Sequence, residues 1–210
     1  LHMLEDVLGW AIVLVGAFIP GIKSPLTVTQ MLWVNLIMDT FAAMALASLP
    51  PSTKVMKEKP RSRTAFIINN TMMKFILSVG FLFFVAMLGL LFMMKNHEIT
   101  FDTGILGMTS GGTTLSSYEC SLFFSLFLML QFWNMFNAKA FETNKSALHF
   151  KNSKGFVTIA ALILFGQILI VNLGGAMFNV TPISIMDWLI IIGATSIVLW
   201  IGELVRMIKK

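Results

Sequence analysis

Apolar residues in this chain do not alternate with polar ones; they come in long unbroken runs such as "FILSVGFLFFVAMLGLLFMM". A strand of a membrane barrel shows about ten residues of alternating polarity, whereas a helix crossing roughly 30 Å of hydrocarbon needs about 20 consecutive apolar ones. The pattern therefore predicts helices that each span a bilayer. Six are expected, over about 4–22, 26–49, 66–94, 119–141, 156–178 and 183–205. The fold class that follows is all-α, a polytopic membrane helical bundle. Gly80, Gly89, Gly166 and Gly193 fall inside these runs, where membrane helices use small residues for close packing.

Composition agrees: 57% of residues are hydrophobic and 12% charged, and the mean hydropathy is +0.83, outside the range of ordinary soluble domains. The opening "LHMLED" carries neither a basic leader nor a cleavage site, so no signal peptide is expected. The single cysteine, Cys120, permits no internal disulfide and is assigned to packing.

Charge adds the orientation. Lys54, Lys57, Lys59, Arg61 and Arg63 lie between the second and third runs, Lys139, Lys145, Lys151 and Lys154 between the fourth and fifth, and Arg206, Lys209 and Lys210 at the end. The opposite connections hold only Lys23 and Lys95. Basic loops stay on the cytoplasmic side, so both termini are expected there. The net charge of +5 is then a topological signal that needs no nucleic-acid partner; the partner it implies is the lipid bilayer. The connection from about 95 to 117, rich in Gly, Thr and Ser, reads as an exposed linker.

No Gly-rich phosphate loop, no nucleophile with a paired histidine and no Cys/His metal cluster is present; His2, His97 and His149 stand apart. Chemistry therefore rests on polar residues inside the helices, where a charge is expensive and is a functional candidate by default. Asp39, in "QMLWVNLIMDT", has no lysine or arginine at comparable depth. Asn35 lies one helical turn before it, on the same face of an α-helix. Gln131, Asn134 and Asn137 form a second polar stripe in "FLMLQFWNMFNAKAF". Asn134 and Asn137 are open to two readings, ion ligands or helix-to-helix hydrogen bonds. Glu203, with Arg206 three residues on, and Asp187, at a helix start, read as end-of-helix charges. Oxygen donors suit a hard cation such as calcium. Asn35 and Asp39 supply about three oxygens of the 6–8 it takes, so further ligands must come from elsewhere.

"PLTVTQMLWVNLIMDTFAAMALASLPPS", 25–52, resembles the sixth transmembrane helix of P-type calcium ATPases, and its "WVNL" and "MDT" resemble the plasma-membrane type. "LFLMLQFWNMFNAKAF" is similar to the eighth helix of those pumps, and "ILIVNLGGAMFNVTPISIMDWL" followed by "IGELVR" to the turn between the last two helices and the end of the tenth. The resemblance implies the fifth to tenth helices of a pump, with calcium as the transported ion. It implies Asn35 and Asp39 as calcium ligands, and Gln131 as a weaker third where the reticulum type has a glutamate. Met38 stands where that type has a ligand threonine, so one of two ion sites is expected to be lost. Near Val7, where the family carries a ligand asparagine, the nearest oxygen donor is Asp6. ATP and magnesium would act only through domains outside these residues, since no "DKTGT" phosphorylation loop occurs here. Residues 1–210 alone are then expected neither to hydrolyse ATP nor to form a phosphoenzyme. The implied partners are the first four helices and cytoplasmic domains of the pump, and the implied location is the cell membrane. The alternatives from the residues alone are a self-contained six-helix transporter or channel with Asp39 as relay, and a scaffold glued by its polar groups.

Overall fold

The structure, a computed structural model, describes residues 2–18, 25–50, 70–95, 116–141, 146–150 and 153–208. All of its regular structure is helical. The elements are α1 (His2–Ala17), α2 (Val28–Asn35), a π-helical segment (Leu36–Ala42), α3 (Ala43–Ala47), α4 (Asn70–Lys95), α5 (Ser117–Lys139), α6 (Lys154–Leu173), α7 (Gly175–Phe178), α8 (Ile185–Thr195) and α9 (Ile197–Ile208). Among the described residues, five helices are long and apolar enough to cross a membrane: 28–47, 72–94, 117–139, 154–173 and 185–208. The protein is an integral, multi-pass membrane protein. The first expected span, 4–22, takes the form of α1, whose apolar part Val7–Ala17 is shorter, and residues 19–24 lie outside the described ones. So does most of the expected linker, at 96–115.

The starts are chemically marked. Thr27 and Gln30 close a capping box on α2, and Ser116 and Glu119 close one on α5. Ser184 caps α8 by accepting from the Asp187 amide. Asp187 is therefore an end-of-helix charge, its carboxylate also accepting from the Ser184 hydroxyl at 2.8 Å and from the Tyr118 hydroxyl. Interruptions within the spans were not expected from the apolar pattern. The break between α8 and α9 follows two back-bonded hydroxyls, Thr195 to the Ile191 carbonyl and Ser196 to the Gly193 carbonyl, each at 2.6 Å, which compete with the helix ladder. α7 begins at Gly175 with φ 47° and is ended by Asn179 with φ 50°, left-handed conformations that glycine and asparagine tolerate.

α5 is the centre of the bundle, with 78% of its span buried against 17–31% for the other four. Phe123, Phe124, Phe127, Leu128, Met129 and Met135 are sealed within it. α4, α6, α8 and α9 pack around it, and α1 lies along α4. Their outer faces display Leu77, Phe81, Phe165, Leu189 and Trp200, large apolar side chains that a bilayer solvates. Side-chain pairs give the directions. Phe75, early in α4, packs against Phe141 just after α5, so those helices are antiparallel. Phe136, late in α5, meets Phe156, early in α6. Tyr118 bonds Asp187 at the starts of α5 and α8, and Asn137 bonds Val198 and Arg206 towards their ends, so α5 runs parallel to α8 and α9.

Candidate intramembrane ion site

Of the residues expected to bind an ion, Asn35 ends α2 and is half-buried. Asp39 sits in the π-helical segment, where hydrogen bonds reach five residues back instead of four. The spacing of Asn35 and Asp39 predicts one continuous α-helix through both residues, and the structure departs from it at Leu36. π segments are rare and frequent at functional sites, so the departure coincides with the strongest sequence candidate. The side chains of Met38 and Asp39, and that of Asp6, lie outside the described residues.

The face that Asn35 occupies is defined by Met31, one turn earlier. A Cβ built on Gly9 of α1 would lie 3.1 Å from the Met31 sulfur and 3.7 Å from Cζ of Phe127 on α5. α1, α2 and α5 therefore converge at Gly9. Gln131 follows Phe127 by one turn as Asn35 follows Met31. α2 is antiparallel to α6, since a Cβ built on Gly155 at the start of α6 would lie 3.0 Å from the Ser48 hydroxyl after α3. α5 is antiparallel to α6 as well, so α2 and α5 point the same way and carry Asn35 and Gln131 at similar depth. No direct bond joins these two residues: both polar atoms of the Gln131 amide are buried without a partner.

The Gln131 stripe divides in two. Gln131 and Asn134, 0% and 1% exposed, leave both polar atoms of each amide unpartnered, a costly arrangement in a dry interior. Asn137, by contrast, is helix-to-helix glue. Its Nδ2 donates to the Val198 carbonyl at 3.0 Å, and its Oδ1 accepts from Arg206 Nη2 at 2.9 Å. Arg206 also pairs with Glu203 at 2.9 Å, and the same Glu203 oxygen accepts from the Ala147 amide at 2.6 Å and the Ser146 hydroxyl at 3.0 Å. Glu203 is thereby the end-of-helix charge expected of it. Among the described residues no three His, Cys, Asp or Glu side chains gather as a metal cluster.

Three polar cross-links not expected from the sequence fix helices around this region. Gln30 Nε2 donates to the Phe178 carbonyl at 2.9 Å, Trp33 Nε1 to Gln167 Oε1 at 3.2 Å, and Trp133 Nε1 to Thr195 Oγ1 at 3.1 Å. Each joins residues more than sixty positions apart. The one available signal was a glutamine inside an apolar run, at Gln167.

Residues 23–208 match the family model described as cation transporting ATPase, C-terminus. The chain belongs to this family. Its members' transmembrane carboxy-terminal region accounts for the several spans and for the low charge outside the loops. The chain is similar to plasma membrane calcium-transporting ATPase 2 of Oreochromis mossambicus, 36% identical over 188 residues, or 87% of this chain and 16% of that protein. It is equally similar to plasma membrane calcium-transporting ATPase 1 of Gallus gallus, at 36% over 88% of this chain and 15% of that one. For plasma membrane calcium-transporting ATPase 3 of Homo sapiens the figures are 36% over 167 residues, 79% and 13%. The chain thus spans about a sixth of the length of such relatives, as one segment of a cation-transporting ATPase.

Proposed function

We propose that this segment is the fifth to tenth helices of a P-type, ATP-driven calcium pump of the cell membrane and supplies part of a single intramembrane calcium site. Asn35 and Asp39 are its principal ligands and Gln131 a weak third. The observation that carries this reading is that the family match, 23–208, runs through all three residues, while the relatives that share 36% identity are calcium-transporting ATPases by name. Nothing in the structure favours the self-contained transporter or the scaffold over a pump segment.

The chemistry follows from the donors. Calcium takes oxygen ligands, and a carboxylate supplies the charge that offsets the ion's own. An amide carbonyl adds a neutral oxygen. The remaining oxygens come from backbone carbonyls, water and helices outside this chain. With methionine at 38 and an amide at 131, the donors of a second site are depleted. Equilibrium calcium binding to the intact pump is expected to give about one ion per molecule, on this ligand count. Two ions per molecule would sink the single-site reading. The ATP-hydrolysing and phosphorylated domains lie in the rest of the pump, so residues 1–210 alone carry no ATPase activity.

Orientation completes the reading. The start of α4, the end of α5 and the end of α9 share one end of the bundle through the Phe75–Phe141 and Asn137–Arg206 contacts. The basic connections belong to that end, which supports placing it, with both termini, in the cytoplasm. A cysteine introduced at Ser62 is expected to react with an impermeant thiol reagent from the cytoplasmic side only, and one at Ser110 from the other side only. Reversed labelling would invert the topology.

A further inference from the structure

Trp33 lies two residues before Asn35, and its indole Nε1 donates to Gln167 Oε1 on α6 at 3.2 Å. It is the last side-chain bond from α2 to another element before the ladder changes at Leu36. At 100° per residue, two positions are about 200° around an α-helix, so a Trp33 turned to α6 puts Asn35 on the opposite face. That is the face which Met31, a turn earlier, presents to Gly9 and Phe127.

We propose that Gln167 is a positioning residue for ion binding: through the Trp33 indole it sets the rotation of α2, and with it the direction in which Asn35 faces. The inference rests on the calcium-site reading above. Four observations support it. The contact is close all along this level, because a Cβ on Gly166 would lie 3.5 Å from Ile37 and 3.7 Å from the Trp33 ring. The indole is held on its other flank by Phe178, edge-on at 5.9 Å between ring centres. Gln30, a turn before Trp33, is tied to the Phe178 carbonyl, which pins the same face at a second level. Finally, Gln167 is 0% exposed and its Nε2 has no partner. An orphaned buried donor is costly, and an apolar side chain of the same length would pack there without that cost. The acceptor oxygen is what the glutamine adds.

The experiment compares Gln167→Met, which keeps length and removes the acceptor, Trp33→Phe, which removes the donor, and the double variant, all in the intact pump. The readout is calcium-dependent phosphorylation from ATP, resolved into its calcium midpoint and its maximal level. Each single change is expected to raise the midpoint about three- to tenfold, the range a lost hydrogen bond spans. The double change should raise it no further, because both remove one bond, and the maximal level should hold. An unmoved midpoint, effects that multiply, or a fallen maximum with a fixed midpoint would each overturn the proposal. Asp39→Asn serves as the separate arm. If it retains calcium-dependent phosphorylation, the calcium site itself is misread and this inference goes with it. If it is dead while the Gln167→Met midpoint stays put, only the positioning role fails.

Discussion

In the intact pump, Asp39→Asn is expected to abolish calcium-dependent phosphorylation from ATP, while Gln131→Ala leaves most of it. The substitution keeps the size of the side chain and removes its charge. Taking one partner from a buried charge pair, as the proposed calcium–carboxylate contact would be, costs about 3–5 kcal/mol, which is about two to four orders of magnitude in calcium affinity. Gln131 differs because its amide makes no hydrogen bond that truncation would break. On the single-site reading proposed above, it contributes only a neutral oxygen away from the bound ion. Phosphorylation titrated against free calcium for the two variants checks the contrast, and Asp39→Asn with an undiminished response would refute the assignment of the site.

A single methyl group at Gly202 is expected to destabilise the bundle, whereas the same change at Gly193 is expected to do no harm. A Cβ on Gly202 would fall inside the Asn137 carboxamide, 2.6 Å from its Cγ. Asn137 is held between the Val198 carbonyl and Arg206, so it cannot withdraw without losing a bond to each. Gly202→Ala must therefore part α9 from α5 or break that junction. Overpacking of this kind costs about 1–3 kcal/mol, and the bond to a charged guanidinium about 1.5–3 more if it is lost. Around Gly193 a Cβ meets nothing within 4 Å. There, alanine relieves the entropy cost of glycine in a helix, worth roughly 0.5–1 kcal/mol. Unfolding temperatures of the two variants in detergent should move in opposite directions. Equal shifts would show that the α5–α9 contact does not govern stability.

The apolar runs by themselves determined that this chain is a helical membrane protein, because a closed barrel, the other structure that satisfies the backbone in hydrocarbon, would alternate in polarity over about ten residues. Five of the six expected spans appear where the hydropathy places them, with ends that differ by at most six residues. Helix starts at Thr27, Ser116 and Ser184 are equally local, since a cap needs only residues within one turn. The candidates Asn35, Asp39 and Gln131 were legible for the same kind of reason: polarity inside oil stands out one residue at a time.

Tertiary structure decided everything that depends on which helix neighbours which. Gln131, Asn134 and Asn137 share one stripe in the sequence. Only the arrival of α9 at Asn137, through Val198, Gly202 and Arg206, separates a structural amide from two that have no partner. Trp33 and Gln167 are 134 residues apart, and nothing local in either predicts the bond between them. The π ladder from Leu36 to Ala42 belongs to the same class. A run of apolar residues reads as α-helix, whereas the wider turn occurs where the segment packs against α6. Periodicity records how far each side chain is from water, but it holds no record of the partner across the bundle.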